Sequence, residues 1–322
     1  MTAIAQTAAT DLSPLAVPRG RFWRQGVRSG RTLVGGGIIL VMVCACVLTL
    51  PAAGNKSSPL YFDAQNLLAV RQHPSLSAGA PRWFGTDILG RSLLGRCLFG
   101  GTISLAIGAA AACVSLVLGV GVGLVAGYRG GWIDALLMRS VDVLFGLPDI
   151  LMVILLQLAL KDRLTNIVGS PRAANVVVLF LAIGLVSWLT MARVVRGQVL
   201  ALRGLPFVEA ARATGLTEWR IFFRHIFPNL AGPIIVYATL TVPKAILEES
   251  LLSFLGVGVT PPLPSWGELA AEGLQPALNP IHSGWWLLVF PCTLLAVTLL
   301  ALNFVGDGLR DVFDPKREGA KI

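Results

Sequence analysis

Side chains able to cooperate chemically are few in this chain. Lys244 and Glu248 stand four residues apart, with Glu249 beside them. At that spacing a lysine and a carboxylate share one helix face and neutralise each other. Glu248–Glu249 is the one carboxylate pair inside an apolar run. His73, His225 and His282 fall in separate polar segments, so a histidine metal site is not expected. Cys44, Cys46, Cys113 and Cys292 lie in apolar runs and Cys97 beside one, so they read as small apolar residues. Cys44-x-Cys46 is a single dithiol, a weak soft-metal signal. None of the five lysines follows a glycine, so the phosphate loop G-x-x-x-x-G-K-[ST] is absent. So are G-x-S-x-G and H-E-x-x-H. These residues predict no catalytic group, no metal site and no cofactor held by this chain.

The elements that must position them are set by composition. Of 322 residues, 55% are hydrophobic and 13% charged, against about 25% charged in soluble domains. Mean hydropathy is +0.74. A disordered chain is excluded, and so is a soluble enzyme of one or two domains. The net charge of +9 does not sit on a polar domain, so nucleic acid is not an expected partner. The expected class is an all-α protein crossing a lipid membrane several times. A span needs roughly 20 apolar residues, and six runs qualify: 33–50, 102–127, 143–160, 175–192, 230–247 and 285–305. Pro148 and Asp149 interrupt the start of the third. The first follows a long polar arm and has full spanning length, so it reads as a span rather than a cleaved leader. The expected organisation is an arm at 1–32, the first span, an outer loop at 51–101, a transmembrane core at 102–305 and a tail at 306–322.

Orientation follows from lysine and arginine. With the N-terminus inside, 17 of the 26 basic residues fall on inner segments and 8 on outer ones, with Lys244 inside a span. The charge is therefore a topology signal that places both termini in the cytoplasm. In the second span Gly119, Gly123 and Gly127 recur every four residues and line one helix face, where small residues let two helices approach closely. No strand precedes them, which excludes a dinucleotide loop.

The segment 193–229 is the longest and most basic inner one. Pro206–Thr214 suits a helix with an acidic first turn, and Gly215 can end it in a left-handed conformation. Thr217–Phe227 suits a second short helix, capped by Thr217 and ended by Pro228. Trp219, Ile221, Phe222, Phe223, Ile226 and Phe227 give it surplus apolar surface. Two uses fit this hairpin: resting on lipid headgroups, or docking into a groove of a cytoplasmic partner.

The spacing E-A-A-x3-G-x9-H-x-x-P-N, carried by Glu209, Ala210, Ala211, Gly215, His225, Pro228 and Asn229, resembles the EAA loop of binding-protein-dependent ABC importer permeases. Further segments resemble the peptide/nickel subfamily. They are Phe84-Gly85-Thr86-Asp87-Ile88-Leu89-Gly90-Arg91-Ser92, Gly127 to Asp134 with Met138-Arg139, Ser253-Phe254-Leu255-Gly256 and Pro264-Ser265-Trp266-Gly267. Gly306 to Asp311 with Asp314-Pro315 belongs with them. Ser187-Trp188-Leu189 and Arg193 to Gln198 are most similar to the C-type subunit of oligopeptide permeases. The resemblance covers roughly residues 30–317. Ser92, Arg129, Lys244 and Glu248 depart from the usual pattern.

The resemblance implies a type I (MetI-like) importer permease in a bacterial inner membrane, importing oligopeptides or dipeptides. Nickel chelates or a peptide-like solute such as glutathione are the alternatives. It implies half of a heterodimeric pore, completed by a sister B-type permease subunit. Two ATPase subunits would bind ATP and Mg, and an outer binding protein would deliver peptide. Glu209 and Arg212 would meet charges on an ATPase, Gly215 would permit the turn, and Trp219 and Phe222 would pack. Lys244, Glu248 and Glu249 are the candidate substrate path.

Overall fold

Each long apolar run forms a helix, because in hydrocarbon every backbone N–H and C=O must find a partner within its own segment. The computed structural model describes residues 30–313. They form α1 (Gly30–Gly54), α2 (Leu93–Arg129), α3 (Gly131–Phe145), α4 (Asp149–Val168), α5 (Pro171–Arg203), α6 (Pro206–Ala213), α7 (Glu218–Phe254), α8 (Trp266–Ala277) and α9 (Trp286–Phe313). Residues 1–29 of the expected arm and the Asp314-Pro315 signature lie outside the described residues.

Helices α1, α2, α5, α7 and α9 are each long and apolar enough to cross a membrane. The third expected span is different. Its window, 143–160, straddles a break: α3 and α4 meet at 95°. Gly146 caps α3, its N–H bonding the Asp142 carbonyl at 3.1 Å. Pro148 then has no N–H to offer, and it pushes Leu147 out of helical conformation. Pro148 directly precedes the first turn of α4, where no N–H is needed.

The helices also outrun the hydropathy windows. α2 begins at Leu93, within the segment expected as outer loop, with Ser92 Oγ accepting from Gly95 N at 3.3 Å. α5 runs to Arg203 and α9 to Phe313, past the expected span ends. A 37-residue helix such as α2 is about 55 Å long, against a hydrocarbon core of about 30 Å. Its polar ends therefore project into water.

The tightest seam joins α2 to α5. A Cβ at Gly119 would stand 2.5 Å from Met191 Cβ, one at Gly123 2.6 Å from the Ala192 carbonyl oxygen, and one at Gly127 2.8 Å from Val199 Cβ. The glycine stripe is thus the face on which α5 lies. Ile107, Ala111, Leu179 and Ile183 continue the seam outward as a buried core. The start of α1 lies beside the end of α9, Gly35 against Ala301 and Phe304. Both ends of the described chain are therefore at one end of the bundle, as an even number of crossings requires.

At the other end a buried polar knot ties α2, α7 and α8 together. Glu249 is 0% exposed. Its carboxylate accepts from Ser104 Oγ at 3.0 Å and Ser253 Oγ at 2.8 Å. Ser253 Oγ accepts from Val259 N at 3.0 Å, and Ser265 Oγ caps α8 at Glu268 N, 3.1 Å. The Ser253 and Ser265 signatures are therefore structural.

Candidate functional site

The E-A-A segment forms α6, and its turn is a full Schellman motif. Gly215 N bonds the Arg212 carbonyl at 2.9 Å and Leu216 N the Ala211 carbonyl at 3.2 Å, with Gly215 at φ +76°. Val208 and Ala211 point inward, onto a cluster with Val199, Ile221, Phe222, Ile226 and Leu230. Ala211 is small where α6 must lie close. Glu209 and Ala210 face outward and are exposed.

Three expectations for this segment need correction. Arg193–Arg203 is not loop but the last three turns of α5, since nothing breaks the helix before Gly204. Pro228 does not end a second helix: α7 runs unbroken from Glu218 to Phe254. The turn Phe222–Ile226 is widened to π, with Phe227 N bonding the Phe222 carbonyl. That widening draws the preceding carbonyls away from the proline ring and removes the clash that would kink an α-helix. Asn229 Nδ2 donates to the His225 carbonyl at 2.5 Å, so H-x-x-P-N acts as a local backbone device. Thr217 occupies the cap position, but its side chain makes no cap bond. The third correction concerns Phe222, which is 9% exposed and packs edge-on against Tyr128 within this chain. The outward aromatic pair is Trp219, 70% exposed, stacked on Phe223. Phe223 was available from the sequence only as one of several aromatics, because the π turn changes which of them faces out.

Arg212 is held by Glu218 at 3.2 Å, and Glu218 in turn accepts from Tyr128 OH at 2.5 Å. This chain links the turn to the end of α2. A cavity of about 1020 Å³ opens there, walled by Leu124, Tyr128, Arg203, Arg212 and Trp219. Next to it, Arg196 grips Asp134 with two bonds of 2.5 and 2.7 Å, and Arg193 reaches Asp142 at 2.7 Å. These pairs fasten α3 to α5, which is what the Gly127–Asp134 and Arg193–Gln198 signatures share.

In the membrane interior Lys244 Nζ lies 3.4 Å from Glu248 Oε1, as their spacing predicts. It also lies 3.2 Å from Asp149 Oδ2, which the sequence placed only as an interruption of a span. Asp149 opens α4 just past the break, so the 95° bend brings it to α7. Glu249 does not join this group. It is enclosed in the serine knot and presents no surface to a path.

At the outer end a second charged cluster lies under the loop that precedes α2. Arg96 is 1% exposed. It bonds Asp87 at 2.9 Å, lies 3.5 Å from Glu268, and is paired with Glu272. Arg91 bonds Asp87 at 2.6 Å and Asp63 at 3.3 Å. Burial pushes the Glu268 carboxyl above its ordinary range, and a hydrogen bond with Glu272 adds to the effect. Two of the basic residues assigned to the outer side are thus neutralised internally, which sharpens the inside bias of positive charge.

Comparison with known proteins fits this arrangement. Residues 119–319 match the family described as "Binding-protein-dependent transport system inner membrane component". The chain is 42% identical over 315 residues to the oligopeptide transport system permease protein OppC of Escherichia coli K12, covering 97% of each chain. It is 38% identical to OppC of Bacillus subtilis, covering 97% of this chain and 95% of that one. It is 36% identical to the glutathione transport system permease protein GsiD of Pectobacterium atrosepticum, covering 93% and 91%. Among solved structures, an inward-facing MetNI methionine ABC transporter aligns with a TM-score of 0.52 at 18% identity, covering 66% of this chain and 94% of that one. That likeness and the family match together establish the type I importer permease fold.

Proposed function

This chain belongs to the family of binding-protein-dependent transport system inner membrane components, and we propose that it is one half of the pore of an ATP-driven peptide importer. It is a multi-pass inner-membrane permease subunit and not itself an enzyme. A sister B-type permease subunit completes the pore. Two ATPase subunits hold ATP and Mg, and an outer binding protein delivers oligopeptide or dipeptide. The curated relatives that carry oligopeptide names over nearly their whole length support the substrate class.

The observation that carries the coupling role is the outward surface of α6 and the first turns of α7. It presents Glu209, Phe207, Trp219 and Phe223, all exposed, on a turn fixed by Gly215. Burying an aromatic or aliphatic side chain of this size is worth about 1.5–3 kcal/mol. A groove on an ATPase would supply that burial, and Glu209, which has no ion-pair partner among the described residues, would meet a basic group there. Closure of the ATPases around ATP would draw the two coupling loops of the pore together and switch it from inward- to outward-facing. On this reading Lys244, Glu248 and Asp149 line the path, where ionisable side chains in a membrane are expected to face solute or one another.

The test is co-purification with the neighbouring subunits, followed by measurement of ATP hydrolysis with loaded binding protein. Stimulation by peptide-loaded binding protein is expected. Stimulation by glutathione or a nickel chelate alone would replace the substrate, and failure to capture any ATPase subunit would refute the coupling role.

A further inference from the structure

Between α4, the start of α5 and the turn after α7 lies a cavity of about 150 Å³, lined by Gln157, Lys161, Asn175, Gly256, Gly258 and Thr260 among others. This is the volume of about five waters at ~30 Å³ each, enough for one peptide group and its flanking Cα carbons. Gln157 Nε2 and Asn175 Oδ1 are buried and have no hydrogen-bond partner among the described residues. Buried polar groups are rarely left in that state, and those that are call for a missing partner. Lys161 forms no ion pair among the described residues. The position is also informative. Gln157 lies eight residues beyond Asp149 on α4, and Gly256 eight beyond Glu248, at the outer end of α7. Both steps are about 12 Å along a helix. The cavity therefore sits one step outward of the Lys244–Glu248–Asp149 group, on the same two elements.

We propose that this cavity is a peptide-backbone docking site at the outer mouth of the path. A carboxamide offers a donor and an acceptor side by side, as a peptide group does. Two of them can take the N–H and C=O of one peptide bond without reading a side chain. Gly256, where an added Cβ would meet nothing within 4 Å, leaves open space in the wall. Lys161 takes the terminal carboxylate of the peptide. The inference rests on the peptide-import reading and deepens it, because it explains how a pore accepts peptides of differing side chains.

The test uses the complete transporter in proteoliposomes and compares uptake of a tripeptide with that of its ester analogue, in which one amide N–H is replaced by oxygen. The binding protein is the same throughout, so only a change in the amide-to-ester ratio reports on this chain. In Asn175→Leu and Gln157→Leu that ratio falls about tenfold from the wild-type value. Asn175→Ser and Gln157→Met, smaller perturbations of the same sites, move it in the same direction. Lys161→Ala lowers the preference for a free C-terminal carboxylate over a C-terminal amide. Peptide uptake with ratios unchanged in both pairs of variants would overturn this site and leave the importer reading intact. A wild-type complex that imports no peptide would overturn that reading and this site with it.

Discussion

Replacing Gly215 isolates the backbone of the coupling turn from everything else. Gly215 holds φ +76°, and a Cβ built on it meets nothing within 4 Å. Alanine therefore brings no clash, only the cost of placing an L-residue in left-handed space, about 1–2 kcal/mol. That is a factor of about 5–30 in the population of the turn that carries Trp219 and Phe223 outward. The expected result for Gly215→Ala is a 5- to 30-fold loss of ATP-driven peptide uptake in proteoliposomes. Affinity for the ATPase subunits should fall in parallel, while the thermal stability of the bundle stays near wild type because the turn lies outside it. Asparagine tolerates the left-handed region better than other side chains, and a β-branched residue tolerates it worst. Activity should follow the order Gly, Asn, Ala, Val. Equal activity across the series, or Asn below Ala, would refute the claim that this backbone conformation transmits coupling.

The remaining predictions concern the bundle. Arg96→Ala removes the buried guanidinium shared by Asp87, Glu268 and Glu272, leaving only Arg91 on Asp87, and should cost about 3–5 kcal/mol, read as a fall in the melting temperature of the purified permease complex. Glu268 gives stability a pH dependence of determined sign. Its folded pKa is raised from the ordinary 4.5 by burial, so the folded state keeps a proton that the unfolded chain gives up. Stability from this group is complete below pH 4.5 and declines as pH rises through neutrality. Glu268→Gln should flatten that decline in a pH series of thermal melts. Gly123→Val would force a side chain into the α5 backbone, where a Cβ alone stands 2.6 Å from the Ala192 carbonyl oxygen. Overpacking of this kind costs about 1–3 kcal/mol, so the melt should shift downward. Lys244→Met alone strands Glu248 and should impair uptake more than Lys244→Met with Glu248→Leu, measured with neutral and charged tripeptides.

Five of the six expected crossings were legible because hydropathy reports directly on what hydrocarbon will accept. The glycine stripe was legible because 119, 123 and 127 fall on one helix face whatever the partner is. The E-A-A turn was legible because the left-handed position requires Gly215. Three features were hidden, each for a physical reason. Helix ends were misplaced because hydropathy registers only the apolar part of α2, α5 and α9. The inward face of Phe222 depends on a π turn that has no composition signal. The cluster of Arg96 with Asp87, Glu268 and Glu272 joins residues more than 170 positions apart, a pairing that no local spacing encodes.

On the proposed reading, this chain provides a peptide path whose opening is driven through the α6 surface. The direct measurement is accumulation of a labelled tripeptide in proteoliposomes containing the full set of subunits, with Trp219→Ala and Phe223→Ala combined in this chain. ATP-dependent accumulation is expected in the wild type, and in the double variant continued ATP hydrolysis with import reduced at least tenfold. Full import by the double variant, or accumulation that does not require ATP, would contradict that reading.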